Sequence, residues 1–486
     1  MRNNLTTPNN YSKQRTIVVD LDGTLINSDA LVESFFVFFR LHPLRIFEVF
    51  YWLFHGKAFL KKRLADEIIL DVDLLPYNED LLTWLEQQRT SGASIVLATA
   101  SDLRIAKKVA EHIGFFDEVF GTDKINLSSK NKRDVLIHRY GEYGYEYVGN
   151  STADFLVWDA ANVIHIVNPE RGVLKTVSKT GRVDKVFQRN SSYFKVLFKA
   201  LRIHQWVKNL LIFVPLISSH RIMEVQLVQQ GLLAYVAFGV CASSVYLLND
   251  LLDLPDDRQH PTKFKRPLAS GSLPILHALI YIPVLLISSF VIAICFLPLQ
   301  FAAVLIVYYL LTLGYSLWLK RVVMLDVIVL AMLYTLRVLA GAAAMALVAT
   351  FWILAFCIFI FLSLAFVKRY TELRDARHKG RNEKASGRGY YPADFELLAS
   401  LGGSSGYISV LVLALYINDA TSGVLYKSPE WMWAACPLML FWLSRIWLLA
   451  HRGQMHDDPI VFAIRDSVSR WIGLGFVLAF VMATFS

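Results

Sequence analysis

Beyond about Leu210 the chain settles into a rhythm of long apolar stretches broken by short polar loops. A helix needs roughly 20 predominantly apolar residues to cross the hydrocarbon core of a bilayer. Stretches approaching or exceeding that length fall near 207–219, 228–248, 275–297, 299–318, 322–346, 350–367, 398–418, 431–450 and 468–486. The first is short and the last carries Arg470. The pattern predicts an all-α polytopic membrane domain over 207–486 with about nine transmembrane helices.

The first part of the chain has a different period. "TIVVD" (Thr16–Asp20), "ASIVLATAS" ending near Thr99, "YEYVGN" ending at Gly149-Asn150 and "NVIHIVNP" are short β-branched runs. They alternate with helical segments such as "DLRIAKKVAEHIG", which has an acid at its start and Gly114 past its end. Such alternation predicts an α/β doubly wound, Rossmann-like domain over 16–185, closed by the fourth strand, with polar groups at the strand tips where ligands bind. A helical insertion lies at about 29–90, and residues 186–206 read as a linker with an amphipathic entry segment. "MRNNLTTPNNYSKQR" lacks the apolar core of a cleavable leader and reads as a disordered tail over 1–15.

Charge adds orientation. The net charge is +9, with 55% hydrophobic residues and a mean hydropathy of +0.43. Counting from an inside N-terminus, cations gather in alternate loops: Arg258, Lys263, Lys265 and Arg266; Lys320 and Arg321; Lys368 through Arg381; Arg452 and Arg465. The intervening loops hold only Arg221 and Lys427. This positive-inside asymmetry predicts a multi-pass membrane protein with its N-terminal domain on the inner side. It also accounts for the positive charge without nucleic acid as a partner. The four cysteines sit in or beside predicted spans without metal-ligand spacing and read as packing residues.

"DLDGTL" opens with an acid at a strand tip and a second acid two residues on. Followed in order by Thr99, a lysine in "SSKNKRD" and "GNSTAD", it resembles the motif set of the haloacid-dehalogenase-like phosphatases. That resemblance implies Asp20 as nucleophile, Asp22 as general acid/base, Thr99 and Lys132 (Lys130 being the alternative) on the phosphoryl group, and Mg²⁺ held by Asp20, Asp22, Asn150 and Asp154. The chemistry is coherent: a carboxylate attacks phosphorus only when the phosphoryl charge is neutralised. Asn150 departs from the family, which usually has an aspartate there; an amide oxygen can ligate Mg²⁺ but lacks its charge. The insertion's position matches the family's helical cap. It is rich in Phe, Tyr and Trp beside Arg, Lys and His, so its apolar face either packs on itself or rests on a membrane surface.

"VYLLNDLLDLPDDRQHPTKFKRPLASG" leaves the second predicted span at the inner side. Asp250, Asp253 and Asp257 project toward one face if the helix continues, and acids at a membrane boundary are costly unless they serve a site. Carboxylates holding Mg²⁺ on a diphosphate would explain them. "NDLLDLPDD" resembles the first acidic motif of the UbiA-type intramembrane prenyltransferases, over about 195–486. Ordinary members carry a second "DxxxD"; here "FVKRYTELRD" puts Lys368 and Arg369 in its place, with Glu372 and Asp375 left. Two cations there suit a substrate phosphate held by side chains. This pattern resembles the polyprenyl-phosphate (decaprenyl-phosphate) phosphoribosyltransferases of cell-wall biosynthesis. It implies transfer of 5-phosphoribose from phosphoribosyl pyrophosphate to a polyprenyl phosphate. Asp250, Asp253 and Asp257 would hold metal and pyrophosphate with support from Asn249, Lys368 and Arg369 would neutralise phosphate, and Glu372 would bind ribose or metal. Lys208, Lys265, Arg266 and Arg337 are further phosphate candidates, whereas Lys320 and Arg321 read as topology charges. The phosphatase domain would then remove the 5-phosphate to give polyprenyl-phosphoryl-ribose. Three alternatives stand beside this: a prenyltransferase using an aromatic acceptor, a lipid carrier with a regulatory module, and an N-terminal domain kept as a scaffold. Oligomeric state, a homo-oligomer included, is left open.

Overall fold

The computed structural model describes residues 15–123, 125–188, 192–378, 389–419, 426–455 and 458–485. The expected tail, apart from Arg15, and the loop cations Lys379 and Arg381 lie outside the described residues. The chain forms two compact units, Met1–Ala200 with Leu247–Ile280, and Leu201–Tyr246 with Tyr281–Ser486.

The first unit is built on six parallel strands: β1 (Thr16–Val19), β2 (Ser94–Asp102), β3 (Glu118–Thr122), β4 (Glu146–Gly149), β5 (Val163–Val167) and β6 (Val183–Phe187). Their order is β3-β2-β1-β4-β5-β6. β1, β2 and β4 are buried on both faces, which is why they read as unbroken β-branched runs. The strand order reverses beside β1, so a crevice opens at the carboxyl ends of β1 and β4, where Asp20 and Asn150 stand. Two strands escaped the sequence reading. β3 is half-buried along most of its length, and β6, "VDKVF", is an edge strand whose three middle residues are exposed. The domain therefore closes on β6, one strand later than the pattern suggested.

The excursion after β1 holds helices α1 (Ala30–Leu41), α2 (Ile46–Phe54) and α3 (Lys57–Glu67). Asp29 caps α1 by accepting from Leu31 and Val32 N–H groups. The chain leaves and returns at an antiparallel bridge between Ile26 and Tyr77. Helix α4 (Glu79–Thr90) follows that neck and leads into β2. It is a crossover helix of the sheet, so the cap is narrower than the predicted 29–90.

The second unit, with the helix ends that enter the first, is helical. Eight helices among the described residues are long and apolar enough to cross a membrane: Val225–Leu252, Ile275–Phe296, Leu299–Leu317, Leu325–Ala344, Phe351–His378, Pro392–Ile417, Pro429–Arg452 and Ser467–Phe485. The ninth candidate, 207–219, forms no long α-helix. It is a 3₁₀ segment, Ile203–Phe213, followed by the short helix Val214–Ser218 with Pro215 in its first turn. Polar Lys208 and Asn209 are buried inside it. Elsewhere in this unit polar groups are satisfied helix to helix: Ser363 donates to the Gly402 carbonyl and accepts from the Trp447 indole.

Candidate active sites

In the first unit, Asp20 sits just past β1 with its carboxylate nearly buried. Lys132, the third residue of the helix Lys130–Tyr140, reaches it with Nζ 2.7 Å from Asp20 Oδ1. Lys130 is exposed at the start of that helix. The Lys132 ammonium also donates to the Tyr147 hydroxyl at 2.9 Å, and that hydroxyl donates to Asp154 Oδ1 at 2.9 Å. Burial pushes the Asp20 carboxyl up to about 7 against the pull of the Lys132 ammonium, with Asp154 and Asp22 adding to the rise. Burial acts to lower Lys132, but the charges of Asp20 and Asp154 prevail and raise it. Proton and charge are thus shared in a tight buried cluster.

Asp22 is anchored at both oxygens: the Ala30 N–H donates to Oδ1 at 2.7 Å, and the Ser101 hydroxyl donates to Oδ2 at 2.7 Å. Thr99, fully buried, adds a longer bond to the same oxygen at 3.3 Å and accepts from the Ser101 N–H. Gly23 turns the loop with φ +72°, and a Cβ there would strike the Asn150 amide. The structure therefore draws Asp20, Asp22, Thr99, Lys132, Asn150 and Asp154 around one strand-end crevice. Asp154, expected on the metal, is committed to protein. Its Oδ2 accepts from the N–H groups of Asn150 and Ser151 and from the Ser151 hydroxyl, and its Oδ1 accepts from Tyr147. Tyr147 and Ser101 were not singled out in sequence; Ser101 sits near the end of β2 and Tyr147 within β4, and their hydroxyls reach Asp22 and Lys132. Lys61 of α3, also unforeseen, donates to the Ala100 carbonyl at 2.6 Å and feels Asp22 and Asp29, while burial lowers its pKa.

The acidic motif belongs to the same compact unit. The helix Val225–Leu252 stops at Asp253, and a short helix, Leu254–Gln259, restarts with Pro255 near its start. The break means that Asp250, Asp253 and Asp257 do not lie on one continuous helix. Arg266 gathers two of them instead, with Nη1 3.1 Å from Asp250 and 2.6 Å from Asp257, both nearly buried. Asp253 is half-buried at the junction. Asn249 keeps a buried Oδ1 with no hydrogen-bond partner. Lys265 is exposed beside Phe264 and does not join the acids. Arg258 forms a buried bidentate pair with Glu33 of α1 at 2.6 and 3.1 Å, which ties the acidic loop to the cap. Gly271 (φ +65°) lies so close to Asn27 that a Cβ would sit 2.8 Å from the Asn27 Cβ.

In the second unit, Lys208 Nζ lies 2.9 Å and Lys368 Nζ 3.5 Å from Asp458 Oδ2, with the Tyr334 hydroxyl at 3.2 Å. Asp458 was not foreseen as part of a site. Arg337 is fully enclosed: it donates to Asn209 Oδ1 at 3.1 Å and lies over the rings of Phe238, Tyr308 and Tyr334. Asn209 leaves a buried Nδ2 unpartnered. Arg369, expected to neutralise phosphate, spends its guanidinium on Asp326, Glu372 and Tyr315. Tyr390 completes that group by donating to Asp326. Glu372, expected on ribose or metal, is the outer partner of Arg369.

Among the described residues no group of three or more His, Cys, Asp or Glu side chains is arranged to hold a metal ion. Mg²⁺ needs less than that, since it keeps several waters and binds through one or two carboxylates plus substrate phosphate. Asp20 with the Asn150 amide, and Asp250 with the orphaned Asn249 oxygen, fit such a sparse donor set.

The chain is 36% identical to "Uncharacterized protein y4nM" of Sinorhizobium fredii, across 97% of this chain and 92% of that one. It is 36% identical to "Nodulation protein NoeC" of Azorhizobium caulinodans, across 59% of this chain and 93% of that protein. Decaprenyl-phosphate phosphoribosyltransferase of Mycobacterium tuberculosis is 28% identical across 60% of this chain and 96% of its own length. The last two matches are about as long as the membrane part of this chain, whereas the first runs along nearly the whole of it. Residues 218–483 match the model of the UbiA prenyltransferase family, and with that match spanning more than half its length the chain belongs to this family.

Proposed function

We propose that the membrane domain transfers 5-phosphoribose from phosphoribosyl pyrophosphate to a polyprenyl phosphate, and that the N-terminal domain then removes the 5-phosphate. The observation that carries this reading is the Lys208–Asp458–Lys368 cluster. Two ammonium groups share one carboxylate, and one of them, Lys368, stands where ordinary members of the family carry an acid, leaving net positive charge suited to a phosphate monoester. Similarity to the decaprenyl-phosphate phosphoribosyltransferases supports the same choice. On this reading the lipid phosphate oxygen attacks the anomeric carbon and pyrophosphate departs. Asp250, Asp253, Asp257 and Asn249 orient the leaving group, Arg266 holds two of the acids in register, and Lys208 and Lys368 steady the attacking phosphate. Arg369 and Arg337 position neighbouring groups. Mg²⁺, when bound at the acids, would neutralise charge building on pyrophosphate.

In the phosphatase half, Asp20 attacks phosphorus while Lys132 balances the charge and Asp22 gives its proton to the departing ribose 5-oxygen. Water then cleaves the aspartyl-phosphate, Asp22 taking its proton, and inorganic phosphate leaves. Asp154 and Tyr147 hold Lys132 on Asp20. The loop cations and bacterial relatives support placement in the cytoplasmic membrane with the N-terminal domain on the cytoplasmic side.

Incubation with polyprenyl phosphate and phosphoribosyl pyrophosphate, followed by mass spectrometry of the lipids, tests both halves. The wild type should yield the dephosphorylated ribose lipid, and Asp20→Asn should accumulate the 5-phosphorylated one. A prenylated aromatic product, or no phosphoribosyl lipid at all, would overturn the transfer reading. A wild type that stops at the 5-phosphate would make the N-terminal domain a scaffold.

A further inference from the structure

Helix α2, "IFEVFYWLF", buries Val49 and Trp52 and turns a large apolar arc outward. Phe47, Phe50, Tyr51 and Phe54 are 77%, 56%, 59% and 88% exposed, and Leu44 just before the helix is 91% exposed. Spacings of three and four put these four aromatic side chains on one face. A soluble domain seldom leaves so many large rings in water on one short helix. Exposed cations flank the face: Arg40 before it, and Lys57, Lys62 and Arg63 after it.

We propose that this face of the cap lies in the interfacial layer of the bilayer, its rings among the lipid headgroups and its flanking cations on anionic lipid. The compact unit that carries α2 also contains the last turn of the membrane helix Val225–Leu252 and the first turn of Ile275–Phe296, so it stands at the water–lipid boundary. The buried Arg258–Glu33 pair joins that boundary loop to α1, the α-helix that precedes α2. Aromatic rings with neighbouring lysine and arginine are the composition that favours this layer. The consequence is functional: a cap held at the surface opens its crevice toward a phosphate carried on a lipid rather than toward bulk solution. The proposal does not depend on the phosphatase chemistry.

The test uses the full chain in nanodiscs of phosphatidylethanolamine and phosphatidylglycerol, with exposed Cys295 replaced by serine. Nitroxide labels go at Phe47→Cys, Phe54→Cys and, as a water-facing control, Lys179→Cys. Oxygen should relax the labels at 47 and 54 several-fold more strongly than a nickel chelate does, with the order reversed at 179. Adding Phe47→Asp and Phe54→Asp to a chain labelled at Phe50→Cys should return that label to the nickel chelate; these positions are exposed, so folding is not at stake. Nickel-dominated relaxation at 47 and 54 overturns the proposal. So does dipolar broadening between labels that vanishes on dilution with unlabelled chain, which would make the face a contact between copies.

Discussion

Glu146, at the start of β4, illustrates how single residues carry this molecule. It accepts from both Arg15 and the fully buried His165. Burial opposes its charge, yet the hydrogen bonds from His165 and Arg15 prevail and lower its pKa from 4.5 to about 2. A folded pKa below the unfolded one means that stability is present above about pH 4.5 and drains away as pH falls toward 2. Glu146→Gln should cost about 1.5–3 kcal/mol at neutral pH, with the deficit shrinking in acid, as urea melts across pH would report. Lys368 and Arg369 diverge in the same way that motif and partner diverge. Lys368→Ala should raise the KM for polyprenyl phosphate by roughly ten- to a hundredfold. Arg369→Ala should instead destabilise the fold by about 3–5 kcal/mol, because it strands the buried Asp326, and thermal melts separate the two outcomes. The residues of both motif sets were legible because their types and order are local. Their partners were not: Asp326 lies 43 positions from Arg369, and Lys208 lies 250 from Asp458.

At the scale of elements, strands buried on both faces were readable and the edge strand β6 was not, since "VDKVF" exposes three of five side chains. The segment after Arg202 departs from the expected α-helix for another reason. A 3₁₀ helix rises about 2.0 Å per residue, so Ile203–Phe213 covers roughly 22 Å, and the following α-turn adds about 7 Å. Sixteen residues too few for an α-helical span thus reach nearly the ~30 Å of a hydrocarbon core. We therefore expect this segment to cross, which restores an odd number of crossings and the inside placement of the N-terminal domain. A cysteine at Met223, in a chain with Cys295→Ser, should react with a membrane-impermeant maleimide from outside, and one at Lys263 should not. Equal labelling of both in sealed cells would refute the crossing. The acidic loop offers a second element-scale expectation, since its Arg258 pairs with Glu33 of the cap. Glu33→Gln should slow transfer with little change in substrate KM, and the exchanged pair Glu33→Arg with Arg258→Glu should recover part of it.

On the proposed reading, the whole molecule couples two reactions through a lipid. If the product of the first site is the substrate of the second, it remains in the same membrane, and fusion sets the local concentration of one site near the other. The hydrophobic period along the chain announced both halves and their order, and the proposed lipid chemistry supplies a reason for them to share a chain. The expectation that follows concerns variants mixed in one membrane. Asp250→Ala should lose transfer and keep hydrolysis of a small phosphoester, while Asp20→Asn should keep transfer and stop at the 5-phosphate. Reconstituted together in the same proteoliposomes, the pair should regain the dephosphorylated lipid, because the intermediate diffuses laterally from one chain to the other. Recovery should be slower than in wild type and should rise with protein density in the bilayer, since encounter replaces fusion. Placed in separate vesicles, the same two variants should yield only the 5-phosphorylated lipid. Full recovery across separate vesicles would mean that the intermediate leaves the membrane, and absence of recovery within one vesicle would mean that it passes only inside a single chain.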